Sequence, residues 1–319
     1  MRSISESRLS LIIATYNRGP RIARTLDSVL RQTIAPMEII VVDDCSTDGT
    51  AEWVRTHYPQ VRVVQTPQNS GTSGARNFGA RQAVNPLLAF LDHDDELLPQ
   101  ALEVLVANLV AFSEARASFA DHTYINHVTG VRYESHHYHF SPWKRLHSIR
   151  PHRQDGRSRL YGREMYYGLL WGNLLQQPWV IYRDTFFQLG GFAEDIRYCE
   201  DWDLNLRLAR TVPLVLSDEV ISYWHVEGEN LHLRPGQGEM QLRVLRRRWA
   251  EHPWYHLRIK RTLLRRLALY YKWDGDRARQ TSLALAWRLY CRSLFHWPLD
   301  YVVAVRTVFW PLQMAFGIK

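Results

Sequence analysis

The stretch Phe90-Leu91-Asp92-His93-Asp94-Asp95 decides the fold, because it sets clustered carboxylates directly after the short apolar run Leu87 to Leu91. An apolar run of that length, bounded by Asn85-Pro86 and by acids, reads as a buried parallel strand. Open α/β sheets bind ligands beyond the carboxyl ends of such strands, so the acids lie where a substrate would. Carboxylate oxygens suit hard cations such as Mg²⁺ or Mn²⁺, which complete their coordination with water and substrate phosphates. Acids after a strand also serve as helix caps or solvated turns, and this stretch alone leaves both readings open.

Three further segments fall where the same site needs them. Leu9 to Asn17 is a strand-like run ending in Thr15-Tyr16-Asn17-Arg18. Gly19-Pro20 then punctuates a turn, and Ile22, Leu26, Val29 and Leu30 repeat at helical spacing. Met37 to Val42 is a second β-rich run, which delivers Asp43-Asp44 and then Cys45-Ser46-Thr47-Asp48-Gly49-Thr50; Ser46 or Asp48 can cap the helix that carries Trp53 and Val54. After a third strand, Val61 to Gln65, the segment Asn69 to Gly79 is a glycine-bearing loop, including Gly71, that opens a helix and sets Arg76 to meet a negative charge.

Strands and helices that alternate, with polar chemistry after each strand, describe a doubly wound, mostly parallel nucleotide-binding sheet flanked by helices. Gly71, Gly74 and Gly79 are not spaced as G-x-G-x-x-G, they follow the third strand instead of the first, and no G-x-x-x-x-G-K-[ST] occurs. A Rossmann dehydrogenase and a P-loop ATPase are both disfavoured.

These residues resemble those of the inverting family 2 glycosyltransferases of bacterial type, which serve cell-surface glycan synthesis and have the GT-A fold. The resemblance rests on Ala14-Thr15-Tyr16-Asn17-Arg18, Val41 to Thr50, Gly74-Ala75-Arg76-Asn77, Asp92-His93-Asp94, Gly190-Gly191-Phe192 and Glu200-Asp201-Trp202-Asp203-Leu204, in the family's order. Cys45 departs from it, standing where a glycine is common.

The resemblance implies that the first loop, Ala14 to Arg18, and the acids Asp43 and Asp44 hold the nucleoside. Asp43 or Asp44 would accept a hydrogen bond from a pyrimidine N–H, which favours UDP- or dTDP-sugars over GDP-sugars. Tyr16 would pack on the base, Arg76 would approach the nucleotide, and Asp92 would lie near the ribose. Asp94, with Asp92, would bind the Mn²⁺ or Mg²⁺ that bridges the diphosphate, while His93 points away or lines the site. His225, in Ser222-Tyr223-Trp224-His225, stands where many members place a histidine facing the metal.

Glu200-Asp201-Trp202-Asp203 precedes the apolar repeat Leu204, Leu206, Leu208, so these acids occupy the first turn of a helix. The macrodipole favours acids there whether or not they do chemistry. By the resemblance Asp201 is the general base that takes the acceptor hydroxyl's proton, Glu200 orients Asp201 or that hydroxyl, and Asp203 is an exposed helix residue. The cluster His136-His137-Tyr138-His139 has no tetrahedral or helix-face spacing and reads as an acceptor-side loop.

Charge divides the chain. From Gln241 onward there are sixteen Lys or Arg against four Asp or Glu, whereas the whole chain carries +8, so the first 240 residues are net acidic. Residues 1–240 therefore read as the catalytic domain, and 241–319 as a basic, aromatic-rich helical region. Arginines interleaved with Trp249, Trp254, Tyr255, Trp287 and Tyr290 suit a helix lying on an anionic membrane surface. Tyr301 to Ile318 is interrupted by Arg306, Pro311 and Gln313 and suits monotopic anchoring better than spanning. Three widely spaced cysteines give no disulfide framework, and the first residues show no apolar leader, so the expected place is the cytoplasm, at the inner face of the plasma membrane.

The expected partners are a nucleoside-diphosphate sugar donor and a glycan or lipid-linked acceptor. A metal-dependent nucleotidyltransferase or phosphoesterase would use the same carboxylates. A nucleic-acid-binding protein would explain the basic tail, but the acidic first 240 residues would repel phosphate backbones.

Overall fold

The run Leu9-Ser10-Leu11-Ile12-Ile13-Ala14-Thr15 forms strand β1 (Leu9–Thr15), buried at every position. A β-rich run with both faces hidden has to lie in the middle of a sheet covered by helices. The computed structural model describes residues 8–133, 149–226, 237–252, 257–278 and 283–296, and divides the chain into two compact units, residues 1–233 and 234–319. The His136 to His139 cluster and the Tyr301 to Ile318 segment lie outside the described residues.

Residues 1–233 build the sheet. After β1 come α1 (Ala23–Leu30), β2 (Glu38–Asp43), α2 (Thr50–His57), β3 (Arg62–Gln65), α3 (Gly71–Gln82) and β4 (Leu87–Asp92). Next are β5 (Glu96–Leu97), α4 (Ala101–Ala111), β6 (Ala117–Asn126), β7 (Arg132–Tyr133), β8 (Arg153–Asp155), β9 (Ser158–Tyr161) and α5 (Glu164–Leu169). The unit closes with β10 (Trp179–Tyr182), α6 (Arg183–Gln188), α7 (Glu200–Thr211) and β11 (Leu214–Val226). Among the described residues the strand order is β3-β2-β1-β4-β10-β6-β11-β9-β8, with β5 on β11 and β7 on β6.

The β3-β2-β1-β4 half is parallel, as expected from its strand–helix alternation. Beyond β4 the sheet is mixed: β10 is antiparallel to both β4 and β6, while β11 is parallel to β6. Register then sets the site. Thr15 pairs with Asp43, Ala14 with Asp92 and Asp43 with Gln65, which brings the polar ends of four strands level at one carboxyl edge.

Two cores hold the sheet. On one, Ile22, Leu26 and Val29 pack with Leu11, Ile13, Val41, Leu91 and the α4 residues Leu102, Leu105 and Val106. Leu30, read from its spacing as part of that face, ends α1 and is exposed, because an eight-residue helix presents only two turns to the sheet. The other core is aromatic: Phe90 touches Trp179, Phe186 and Phe192 with ring centroids 5.1 Å away in each case. Edge and tilted geometries suit ring quadrupoles at that distance.

In residues 234–319 the described helices are α8 (Gln237–Glu251), α9 (Leu257–Ala278) and α10 (Leu283–His296). Leu263, Leu267, Ala268, Tyr271, Ala286 and Tyr290 are buried. Tyr290 donates to Asp276 Oδ1 at 2.6 Å and Ser293 Oγ to the Ala268 carbonyl at 2.8 Å, so α9 and α10 are tied by polar as well as apolar contacts. Arg243, Arg246, Arg261, Arg265, Arg288 and Arg292 are exposed, whereas Arg248 and Arg266 are buried. Among the described residues no helix is long and apolar enough to cross a membrane.

Helix α3 lies against the sheet through Gly79. A β-carbon there would come within 2.7 Å of both Ile12 Cγ2 and Val42 Cγ2. Gly79→Val should therefore overpack this contact and destabilise the protein by roughly 2–3 kcal/mol. Urea denaturation measures it, and an unchanged midpoint would show that α3 does not need this close approach.

Candidate active site

The carboxyl edge of the sheet is built by loops that fasten to one another. The Asp44 N–H donates to the Thr15 carbonyl at 2.9 Å, the Asn17 N–H to Ser46 Oγ at 2.9 Å, and the Thr47 N–H to Asn17 Oδ1 at 2.8 Å. Thr50 Oγ1 accepts from the N–H groups of Arg18 and Gly19 at 3.0 and 2.7 Å. Helix α2 starts from Gly49, and the carboxylate of Asp48 receives the Thr50 N–H at 3.0 Å, which makes Asp48 the anion at that helix start. Ala14 and Thr15 are buried in the strand, and Tyr16 stands exposed at the rim.

Asp43 and Asp44 are both buried but differ in company. Asp44 is saturated: Oδ1 accepts from Thr66 Oγ1 at 2.7 Å and from Ser70 Oγ at 2.9 Å, and Oδ2 accepts the Gly71 N–H at 2.8 Å. It caps the start of α3, where the free N–H groups and the dipole favour an anion. Asp43 Oδ2 accepts from the Ser46 N–H at 3.2 Å and from Gln65 Nε2 at 2.9 Å, while its buried Oδ1 has no partner.

Arg76, on α3, is buried between two acids. Nη2 pairs with Asp92 Oδ1, Nη1 donates to Glu200 Oε1 at 2.7 Å, and the guanidinium lies 5.2 Å from the Phe192 ring centroid. The Gln177 amide completes the group, its nitrogen 3.1 Å from Asp92 Oδ1 and its oxygen 3.0 Å from Arg76 Nη2. Burial works against the guanidinium's charge, and Asp92 and Glu200 overcome it, holding Arg76 more firmly protonated than usual.

Asp201 follows Glu200 in the first turn of α7. Its Oδ2 accepts from Asn173 Nδ2 at 2.6 Å, and its Oδ1 receives the Trp202 N–H at 2.7 Å. Burial and the neighbouring Glu200 carboxylate push the Asp201 carboxyl up to about 7, against the opposing pull of Arg76 and the Trp202 N–H. Leu204, Leu206 and Leu208 are buried although residues two apart lie on different helix faces, because α7 is covered on most sides. Asp203, expected at the surface, is instead fully buried and binds Arg207 Nη2 at 2.8 Å. Arg207 also donates to the Leu189 and Gly191 carbonyls, so Asp203 helps fasten the Gly190-Gly191 turn.

His93 turns back on the sheet: its Nδ1 donates to the Ala14 carbonyl at 3.0 Å, and its buried Nε2 has no partner. The Asp94 carbonyl accepts from Arg24 Nη2 at 3.1 Å. Next to it Asp95 is buried with Oδ1 unpartnered, and burial together with the Asp92 and Asp94 charges holds its carboxyl well above the usual range. His225 is engaged elsewhere: Nε2 lies 3.3 Å from Glu96 Oε2 and Nδ1 lies 2.8 Å from His127 Nε2. Burial and nearby Arg24 hold its imidazole below the ordinary range, against the pull of Glu96.

The structure thus groups Asp92 with Arg76, Glu200 and Gln177, and groups His225 with Glu96 and His127. Among the described residues no three His, Cys, Asp or Glu side chains converge as a ready ligand cage. The donors present still fit a hard divalent cation. Asp92 and Asp94 concentrate negative charge at one strand end beside Asp95, whose buried Oδ1 has no partner, and Mg²⁺ or Mn²⁺ takes much of its coordination from water and phosphate. Asn173, Gln177 and His127 carried no signal in the sequence, and Glu96 could have been suspected from the acidic run it ends.

A model of glycosyl transferase family 2 matches residues 10–170, half of the chain. The chain belongs to glycosyl transferase family 2. It is 27% identical over 205 residues to the uncharacterized glycosyltransferase YwdF of Bacillus subtilis, covering 64% of this chain and 68% of that protein. Over 105 residues it is 38% identical to the uncharacterized glycosyltransferase YibD of Escherichia coli, covering 32% of this chain and 30% of that protein. Over 104 residues it is 43% identical to validoxylamine A glucosyltransferase of Streptomyces hygroscopicus subsp. limoneus, covering 31% and 23%. The match thus spans less than a third of these last two relatives.

Among solved structures, S. aureus TarS 1-349 in complex with UDP-GlcNAc superposes with a TM-score of 0.65 at 18% identity, covering 89% of this chain and 79% of that one. The mannosyltransferase PcManGT from Pyrobaculum calidifontis, in complex with GDP-Man and Mn²⁺, superposes with a TM-score of 0.55 at 18% identity, covering 98% and 86%. These likenesses establish the fold, the mostly parallel α/β sheet of GT-A glycosyltransferases.

Proposed function

We propose that this family 2 member is an inverting glycosyltransferase that moves a sugar from a UDP- or dTDP-sugar to a hydroxyl of a glycan or lipid-linked acceptor. One observation carries the reading most: Asp201, its carboxyl poised at about 7, lies next to Glu200, which Arg76 joins directly to Asp92 of the D-x-D stretch. A base tuned near neutrality beside the donor end is what general-base transfer needs.

In this reading the unpartnered Asp43 Oδ1 accepts the N–H of the pyrimidine imide, and Asp44, already saturated, holds the loop. Ala14 to Arg18, Gly71 and His93 line the nucleoside end, with Tyr16 at the rim. Asp94 and Asp92 would hold the divalent cation, His225 being the third candidate, and the bound ion would neutralise the diphosphate leaving group. The acceptor oxygen attacks the anomeric carbon opposite the departing diphosphate, Asp201 takes its proton, and the configuration inverts. Glu200 balances Arg76 and keeps the Asp201 carboxyl high.

The basic region adds a surface. Exposed arginines on α8, α9 and α10, together with exposed Trp287 and Phe295, support peripheral binding to anionic lipid at the inner face of the plasma membrane, where lipid-linked acceptors are found.

Three measurements test this reading. Once a donor screen for UDP, TDP or GDP release has found the substrate, Asp201→Asn should lower turnover by roughly 10² to 10⁴ with donor affinity unchanged. Because the anion is the base, wild-type turnover should fall as pH drops through about 7; full activity in the variant sinks the assignment. Asp94→Ala should abolish the Mn²⁺ dependence of nucleoside diphosphate binding in calorimetry, and unchanged dependence would remove Asp94 from the metal role. The full-length protein should co-sediment with phosphatidylserine vesicles and lose most of that binding as salt rises past about 0.1 M, where screening reaches about 10 Å; indifference to vesicles at every salt would end the membrane reading.

A further inference from the structure

The end of α5 and the segment after it are fastened to α7 at four points. Trp202 Nε1 donates to the Leu169 carbonyl at 2.6 Å, and Asn205 Nδ2 donates to the Leu175 carbonyl at 2.7 Å and to Asn173 Oδ1 at 3.0 Å. The fourth point is Asn173 Nδ2, which donates to Asp201 Oδ2 at 2.6 Å. Asn205 is fully buried one helical turn beyond Asp201 and faces the same side as it. The last two of these bonds leave the Asn173 amide one orientation, oxygen toward Asn205 and nitrogen toward Asp201.

We propose that Asn173, locked by Asn205, is the positioning residue of Asp201: it fixes the carboxylate plane and stabilises its ionised form. The inference rests on Asp201 being the general base. An amide suits the task better than a cation. A lysine or arginine at Asn173 would hold the acid far below neutrality and weaken it as a base, whereas a neutral N–H offsets part of the burial cost and leaves the group able to take a proton. Among the described residues the charged groups acting on Asp201 are Glu200 on α7, Arg76 on α3 and Asp92 on β4, and the first of these opposes ionisation while Arg76 favours it. Asn173 is thus a neutral donor set against an acidic neighbour on the same helix. The Trp202 N–H, the other donor to this carboxylate, belongs to the helix backbone and cannot be tuned by substitution.

The test does not need the sugar substrate. In full-length protein labelled with ¹³C at aspartate carboxyl carbons, the Asp201 signal is the one missing from the Asp201→Asn variant, and its titration is followed directly. Asn173→Ala should raise the midpoint by about one pH unit or more, the loss expected for a hydrogen bond to a charged group. Asn173→Asp, of the same shape but with an acceptor facing the carboxylate, should raise it further, and Asn205→Ala should shift it the same way by less. If the alanine variant melts early, the isosteric aspartate variant still reads the effect. An unmoved midpoint in the folded Asn173→Asp protein overturns the proposal. A shifted midpoint combined with wild-type nucleoside diphosphate release by Asp201→Asn would leave the positioning contact in place and sink the general-base reading instead.

Discussion

The site depends on one buried cation. Arg76 reaches out of α3 between Asp92 at the end of β4 and Glu200 at the start of α7, and so ties together elements more than a hundred residues apart in sequence. A guanidinium can be buried here because two carboxylates balance it and its planar fork meets them from two nitrogens. The same contact would be costly if incomplete: removing one partner from a buried ion pair typically costs about 3–5 kcal/mol, because the other charge stays behind. Lysine is a poor replacement, since its compact ammonium lacks the planar fork that meets the two acids from separate nitrogens. The Phe192 ring under the guanidinium links this polar knot to the aromatic core through Phe90, so the position of α7 follows from the packing of the sheet.

Backbone strain collects at the same edge. Among the described residues three that are not glycine have left-handed backbone: Asn17 (φ 52°), Cys45 (φ 64°) and Cys199 (φ 66°). Each sits immediately before or within a segment that carries site residues, and Asn17 and Cys45 are held there by bonds to neighbouring loops. Asn17 is clasped by Ser46 and Thr47, and the Cys45 thiol donates to the Thr66 carbonyl at 3.3 Å. At Cys45 the cost of a β-carbon at positive φ is offset in part by that contact and by the surrounding loop. Cys199 precedes Glu200, and its conformation lets α7 begin at the acids instead of a turn later.

The sequence disclosed the parts of this site that obey local rules. Apolar runs of strand length ending in acids placed β1, β2 and β4, and register did the rest, since parallel pairing of buried strands sets their ends level. The start of α7 was equally legible, because first-turn acids are a local signal; the burial of Leu204, Leu206 and Leu208, two residues apart, follows from a helix hidden on most sides. What failed was set by features that residue type and spacing do not show. Asp203 is buried because its i+4 neighbour Arg207 is itself held by the Leu189 and Gly191 carbonyls, and Leu30 fits the spacing of a helix that stops too soon to bury it. The antiparallel β10 was invisible: a four-residue apolar strand carries no sign of its direction. Nor could Asn173 be seen, because an asparagine in an irregular segment acquires meaning only from what the fold brings to it.

The acids of this site come in neighbouring groups, and in each group the protein uses one to organise and leaves another reactive. Asp44 spends its oxygens on Thr66, Ser70 and Gly71, while Asp43 keeps one buried oxygen unpartnered. Asp92 is committed to Arg76, while Asp95 keeps one buried oxygen unpartnered, and burial with the Asp92 and Asp94 charges, only partly offset by Arg24 and Arg76, makes its ionisation difficult. Glu200 is committed to Arg76 as well, while Asp201 is left with a neutral amide and a backbone N–H and titrates near 7. The division follows from electrostatics. Two adjacent carboxylates cannot both be cheaply ionised in a buried edge unless one is neutralised by the protein, and the partner that remains under-satisfied is the one with affinity left for an imide, a cation or a proton.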